Sequence, residues 1–482
     1  MVFTRKKIGG IAIFAFGCMF ILFSTSSCKK DKLLTIGGSL AFSTDTLRFD
    51  TVFTTIGSVT RQFKIYNKNN KRIKLSEIKL ERGQSSLFRL NVDGVATKSI
   101  RDVEIAGNDS LYIFVALTVD PTTGVLPFLV EDKVLFELNG TTRDVPLEAF
   151  GQDAHYIYND SVLTTQTWVN DKPYVIIHSA IVDSANTLTI QKGCRIYMHQ
   201  DSKLYVLGSL KAFGTKADSI IFQGDRLDRD YFGYRDYPGE WGGILFYRSS
   251  SGNNLNYCTI KNAGNTTDGF TSSAINVLPY WVDLGGPMLE MNYCTISNSL
   301  TFGLVGFTAR VRMNSCLINT CGQQNVACIE GGDYEFTNCT MANYGGLGIN
   351  HTQQPVLAAL NYRDISLTEF VTADLKANFK NCIIYGSLDN EVFFNKRGSA
   401  AYNVTLQNCL YKLANPLDPS LVSQSNCLRD QDPQFKEISK WNFRIPNTSP
   451  AKGAGIASNI PPYDLDFKNW GTPPSIGCYE AE

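Results

Sequence analysis

The residues best equipped for chemistry lie in one stretch, Asp225 to Trp241 (DRLDRDYFGYRDYPGEW). Its carboxylates are Asp225, Asp228, Asp230, Asp236 and Glu240, set beside Arg226, Arg229 and Arg235. Its rings are Tyr231, Phe232, Tyr234, Tyr237 and Trp241. Aromatic faces next to carboxylates and guanidinium groups suit stacking on sugar rings with hydrogen bonds to hydroxyls. Asp225, Asp228, Asp230, Tyr231, Tyr234, Asp236, Glu240 and Trp241 are therefore candidate ligand-binding residues. The same composition also describes a solvated loop whose charges pair locally and whose Trp241 packs beneath it. Hard oxygen ligands are plentiful enough for Ca²⁺, but the spacing fits no EF-hand. No metal site is assigned and no other cofactor is expected. The second candidate is His351, in Gly348 to Gln354 (GINHTQQ), which opens a long loop to Asp374. A histidine there can act as a base, but one without a spaced partner also reads as a polar loop residue. His155, His178 and His199 read as structural, and Asp389-Asn390-Glu391 as a turn.

A glycoside hydrolase needs clustered carboxylates at defined separation. The sequence has no Asp-Asp pair and no Gly-His-Gly. It also lacks a phosphate-cradling glycine loop and a Rossmann fingerprint. Non-catalytic glycan binding is thus the leading expectation. A polysaccharide lyase or glycoside hydrolase is the alternative, and an adhesin or structural spacer with a protein partner is the third.

The elements that position these residues follow from the whole chain. It has 482 residues, 43% hydrophobic and 12% aromatic, with 45 Lys+Arg against 45 Asp+Glu. That is too long for one ordinary domain, too apolar for disorder, and too evenly charged for a nucleic-acid binder. Residues 1–27 read as a signal peptide: Arg5, Lys6 and Lys7, then an apolar run from Ile8 to Phe23, then Ser24-Thr25-Ser26-Ser27 before Cys28. Its removal takes three cations and no acid, so the remainder is slightly acidic. Cys28-Lys29-Lys30-Asp31 behind that leader resembles bacterial lipoproteins of the Bacteroidetes type. The resemblance implies an acylated Cys28, a membrane anchor, and residence in the outer membrane or at the cell surface. Residues 28–40 read as a tether.

From 41 to 151 the chain alternates with period 2, as in Phe88-Arg89-Leu90-Asn91-Val92 and Val134-Leu135-Phe136-Glu137-Leu138. Turn signals such as Asp93-Gly94 and Asn139-Gly140 separate the runs. About seven strands are expected, in an antiparallel β-sandwich. The run Leu111 to Val115, followed by Asp120-Pro121, resembles immunoglobulin-like domains of surface proteins. This block shows no catalytic pattern and reads as a spacer or packing platform.

Residues 152–482 contain a repeat. Cys258, Cys294, Cys316, Cys339, Cys382 and Cys409 each have an apolar residue three positions earlier and a large one two positions later, with Cys427 a weaker copy. The spacings are 36, 22, 23, 43, 27 and 18 residues. Units of this size with short β-rich pieces and Asn/Gly turns indicate a parallel β-solenoid, each coil stacked on the next. Cysteine in one register reads as an inward ladder of small apolar side chains. Cys321 and Cys328 lie off the register and are the disulfide candidates. The opening TLTIQKGCRIYMHQDSKLYVLGSLKAFGT, the Trp241-Gly242-Gly243 segment, and the tail Ser449 to Gly455 and Ile476 to Glu480 resemble right-handed β-helix lipoproteins of Bacteroidetes. That resemblance implies an all-β chain: an N-terminal immunoglobulin-like sandwich, then a right-handed parallel β-helix of the pectate-lyase kind. A monomer that binds glycan but no nucleic acid is expected.

Overall fold

In a computed structural model, the described residues are 32–53, 57–119, 128–158, 161–200, 202–226, 236–265, 270–279 and 288–482. Cys28, Asp228, Asp230, Tyr231 and Tyr234 lie outside them. The described chain is almost wholly β, in two compact units that divide after Gln152. Among the described residues no helix is long and apolar enough to cross a membrane.

Among the described residues the first unit holds ten strands rather than seven, in two five-stranded sheets. One runs Leu40–Phe42, Arg61–Asn67, Ser110–Leu117, Phe88–Val92, Val95–Thr97, all antiparallel. The other runs Leu47–Phe53, Thr141–Gln152, Phe128–Leu138, Ile73–Leu80, Ser99–Ile105, and its first pair is parallel. Period-2 alternation sends Phe63, Ile65, Ile113 and Val115 of the first sheet and Val134 and Phe136 of the second into one shared core, joined by Leu75 and Ile78 on either side of a break in the alternation at Ser76-Glu77. The extra strands are short, such as Val95–Thr97, which closes on Phe88–Val92 across the Asp93-Gly94 turn.

The second unit is a parallel solenoid. A typical coil contributes one strand to an eleven-stranded ladder and two to a seventeen-stranded sheet. Arg195–Met198, Lys203–Val206 and Ser209–Phe213 make one such coil. The next, Ile220–Gly224, Gly243–Phe246 and Asn253–Asn256, pairs onto it in register.

Three inward columns account for the repeat. Ile220 faces Cys258 across the ladder, and Cys258, Cys294, Cys316, Cys339, Cys382 and Cys409 are all 0–1% exposed. Three positions earlier runs Ala212, Leu255, Met291, Met313, Phe336, Phe379, Leu406. Two positions later runs Ile260, Ile296, Ile318, Met341, Ile384, Tyr411. Burying a side chain of that size contributes about 1.5–3 kcal/mol, so stacking supplies the core that no coil has alone. Phe336 and Phe379 stack at 5.1 Å and 4° between planes.

The residue before each cysteine turns the corner between the two sheets. Tyr257, Tyr293, Ser315, Asn338, Asn381, Asn408 and Asn426 all have φ between 46° and 55°. That left-handed conformation disfavours most side chains but tolerates asparagine, which explains why Asn recurs there. Residues from 432 onward then run back along the outside of the eleven-stranded ladder. They cover Leu317, Ala342, Ile383 and Leu410 with Phe443, Ile445, Leu465, Ile476 and Tyr479. Corner amides hold this tail: Asn338 donates to Ser475 and Gly477 carbonyls, Asn381 to Ile456, Asn408 to Ala454.

Candidate functional site

An open cleft of about 700 Å³ lies on the outside of the solenoid, lined by Asp236, Tyr344 to Leu347 and Ile438 to Trp441. Three separate segments meet there. The first wall follows strand Thr340–Asn343. Asn343 donates to the Cys321 carbonyl and to Asn325, and its own side-chain oxygen accepts from the Gly345 amide. Gly346 and Ile349 then close a tight turn with reciprocal backbone bonds of 3.0 and 3.1 Å. The second wall is a one-turn 3-10 element, Ile438–Lys440, ending in Trp441 with φ 56°. A bulky residue in that region is an outlier, held because Glu437 and Asn442 bridge behind it. The third contribution is the Asp236 carboxylate, which accepts from Asn262 at 2.9 Å and pairs with Lys261 at 3.3 Å.

Two rings, Tyr344 and Trp441, thus border a cleft carrying one acid and one base, Asp236 and Lys440. Leu347 and Ile438 remain 46% and 42% exposed at its edge. Burial pushes the Tyr344 phenol well above its ordinary range, so it stays a neutral donor and acceptor.

His351 belongs to the same loop but not to the cleft. Its side chain and that of Glu391 are 1% and 0% exposed, and its Nε2 lies 2.9–3.0 Å from both Glu391 oxygens. The carboxylate also accepts the Val356 and Leu388 amides. Gly386 makes room for it, since a Cβ there would sit 2.2 Å from Oε1. The histidine is a buried staple behind the cleft loop rather than a base open to a ligand, and Glu391 is its anchor rather than a mere turn residue.

The predicted cluster separates. Trp241 is 0% exposed and its Nε1 donates to the Lys261 carbonyl at 2.8 Å, so it offers no ring face to a ligand. Glu240 lies over Gly224 and reaches the Asn262 amide at 3.5 Å. Asp225 pairs with His199 Nδ1 at 2.6 Å across neighbouring coils. His155 pairs with Asp171 at 2.8 Å, so two histidines that lack partners in sequence have them in space. Only Asp236 among the described candidates lines the cleft. Tyr344, Lys440 and Trp441 escaped the sequence reading. Among the described residues no three His, Cys, Asp or Glu side chains gather to hold a metal ion.

A second, smaller groove of about 400 Å³ is lined by Asn256, Asn292, Asn314, Tyr293 and residues 459–462. The three asparagines form an amide ladder, Asn314 to Asn292 at 2.8 Å and Asn292 to Asn256 at 3.0 Å.

The cysteines supply no reactive centre in this region. Cys321 and Cys328 are buried free thiols, not a disulfide. Burial raises Cys321 to about 12 and Cys328 further. The column cysteines Cys294, Cys316, Cys339 and Cys409 are raised by burial as well. Against the effect of burial, hydrogen bonds from Cys339 and Cys409 lower sealed Cys382, and Cys427, half-buried at the last coil, is lowered to about 7 by a hydrogen bond from Cys409.

No family model and no curated protein matches the sequence. Among solved structures, the catalytic domain of a GH87 α-1,3-glucanase is similar over 76% of this chain and 87% of that one, at 9% identity and a TM-score of 0.27. A family 123 glycoside hydrolase from Clostridium perfringens is similar over 25% of this chain and 30% of that one, at 6% identity and TM-score 0.17. An alkylpurine DNA glycosylase from Pseudomonas fluorescens is similar over 23% and 31%, at 10% identity and TM-score 0.15. This chain matches less than a third of the length of the latter two. At these values the likenesses carry no argument about its activity.

Proposed function

We propose that this protein is a glycan-binding lipoprotein of the outer membrane or cell surface, monomeric and anchored through an acylated Cys28. In this reading residues 41–151 form an immunoglobulin-like platform and the coils wind as a right-handed parallel β-helix. The observation that carries the binding function is the cleft between Tyr344 and Trp441, with Asp236 and Lys440 at its rim. Rings supply faces for the apolar side of a sugar, and the polar groups supply hydroxyl partners. Packing of Trp441 against the cluster of Leu317, Phe443, Leu465 and Tyr479 keeps its indole in place before a ligand arrives.

A hydrolytic reading rests on one observation, that Asp236 and Glu240 both reach the Asn262 amide. Against it, Asp236 also pairs with Lys261, and Glu240 lies folded over Gly224. Both serve to hold the wall. The test is incubation of the full-length protein in detergent with a panel of polysaccharides, scoring retention and new reducing or unsaturated ends. Retention without products, reduced at least tenfold by Trp441→Ala, is the expected outcome. Product formation lost in Asp236→Asn would replace binding with hydrolysis. Retention unchanged in Trp441→Ala would remove the cleft from the account. For the anchor, Cys28→Ser is expected to move the protein from the membrane to the soluble fraction.

A further inference from the structure

The two outer faces of the N-terminal unit differ in kind. The face of the sheet containing Ile73–Leu80 carries compensated charge beside one exposed apolar pair, Leu129 and Phe150: Lys79 pairs with Glu77 at 2.6 Å and Glu137 at 3.1 Å, Arg48 with Glu148 at 2.9 Å, and Lys74 with Asp102 at 2.7 Å. Such a face is a solvated surface. The opposite sheet presents Tyr112 and Phe114 side by side on one strand, 41% and 37% exposed, with ring centroids 6.0 Å apart and planes 21° from parallel. Two outward rings in a row are the departure that asks for a partner, because scattered exposed apolar residues need none.

The neighbours of these rings say which partner. Lys64 lies opposite Tyr112 in the register, with its ammonium 4.5 Å from the ring centroid, and Gln62 lies opposite Phe114. On the other side Asn91 lies opposite Phe114 and Arg89 opposite Ala116. Strand alternation puts Gln62, Lys64, Arg89, Asn91, Tyr112 and Phe114 on the outward face. No acid takes an outward position on Arg61–Asn67, Phe88–Val92 or Ser110–Leu117. Among the described residues neither Lys64 nor Arg89 makes an ion pair. The face therefore combines two rings, two amides and two cations without a counter-charge.

We propose that this face is a second binding surface, for an acidic glycan whose sugars stack on Tyr112 and Phe114 while their anionic groups meet Lys64 and Arg89. Amides at 62 and 91 take hydroxyls. The surface lies in the first unit and does not depend on the cleft at Trp441. An anionic polymer fits better than a neutral one because the cations lack protein counter-charges, and the attraction weakens with salt.

The test measures binding of the full-length protein to polygalacturonate, dextran sulfate and neutral dextran at low and at physiological salt. Polygalacturonate and dextran sulfate separate carboxylate from sulfate as the anionic group. Tyr112→Ala/Phe114→Ala is expected to weaken binding of the acidic polymer at least tenfold. Lys64→Gln/Arg89→Gln is expected to weaken it several-fold and flatten its salt dependence. Arg48→Gln, on the opposite sheet, is expected to leave it intact. Tyr112, Phe114 and Arg89 are exposed and Lys64 is half-buried, and an unchanged melting temperature checks that each variant folds. Binding neither acidic polymer, neutral dextran binding that is equally strong and equally lost in Tyr112→Ala/Phe114→Ala, or loss of acidic binding in Trp441→Ala with retention in Tyr112→Ala/Phe114→Ala would each overturn the proposal.

Discussion

Two columns of the solenoid stand one residue apart and behave oppositely. The cysteine column faces inward and keeps one residue type through Cys258, Cys294, Cys316, Cys339, Cys382 and Cys409, each sealed from solvent. The column before it faces the corner and changes along the stack. Tyr257 and Tyr293 stack at 4.7 Å and 12°. Ser315 then donates to the Tyr463 carbonyl, and three asparagines hold the tail. The inner column has one task, filling a fixed space, so repetition suffices. The outer one shares a backbone conformation but meets a different neighbour at every coil. Repetition therefore reports the core, and both cavities lie on the outside, where the tail packs against the coils.

The largest expected break in this comparison is at an outside loop stapled into the inside. Glu391→Ala strips the partner from buried His351 and from two amides. Removing one member of a buried pair costs about 3–5 kcal/mol, readable as a lower urea midpoint, with the cleft loop as the first segment to lose amide protection. The second effect acts on the tail. Burial works to raise the pKa of Asp466, but hydrogen bonds from Arg444 and Lys216 outweigh it and hold it at about 2. Its folded pKa is below its unfolded value, so its contribution is full above pH ~4 and disappears as pH falls toward 2. That is about 2 kcal/mol, and Asp466→Asn should make unfolding less sensitive to acid over that window. Third, Cys316→Leu overpacks a sealed column and should cost about 1–3 kcal/mol, whereas the same change at half-exposed Cys427 should cost under about 0.5 kcal/mol. The smallest effect is kinetic. Of the described thiols, a thiol reagent should modify Cys427 alone in the folded protein, faster as pH rises through about 7. Simultaneous labelling of the column would contradict its sealing.

Much of the inside was legible in the sequence. The cysteine spacing, the apolar residue three before and the large residue two after became the three inward columns. The left-handed corner before each repeat cysteine was not legible, since Tyr257, Tyr293 and Ser315 hold it as well as Asn338, Asn381 and Asn408. Short strands such as Val95–Thr97 were missed because three residues carry too little alternation to register. The site was less legible. Asp236, Tyr344 and Trp441 are far apart in sequence and meet only because the tail folds back, which no local pattern encodes. Composition drew attention to Trp241 and could not tell which side of the wall its ring would take. His199 and Asp225 are 26 residues apart, and one coil turn brings them to 2.6 Å. Such partners appear only once the coil length between them is known.

The central claim is that sugar sits between Tyr344 and Trp441. The most direct measurement is a crystal of the protein grown with the oligosaccharide it retains best. The account predicts density for a pyranose stacked on the Trp441 indole within reach of Asp236 and Lys440. A sugar bound elsewhere on the solenoid, with this cleft holding only solvent, would contradict it.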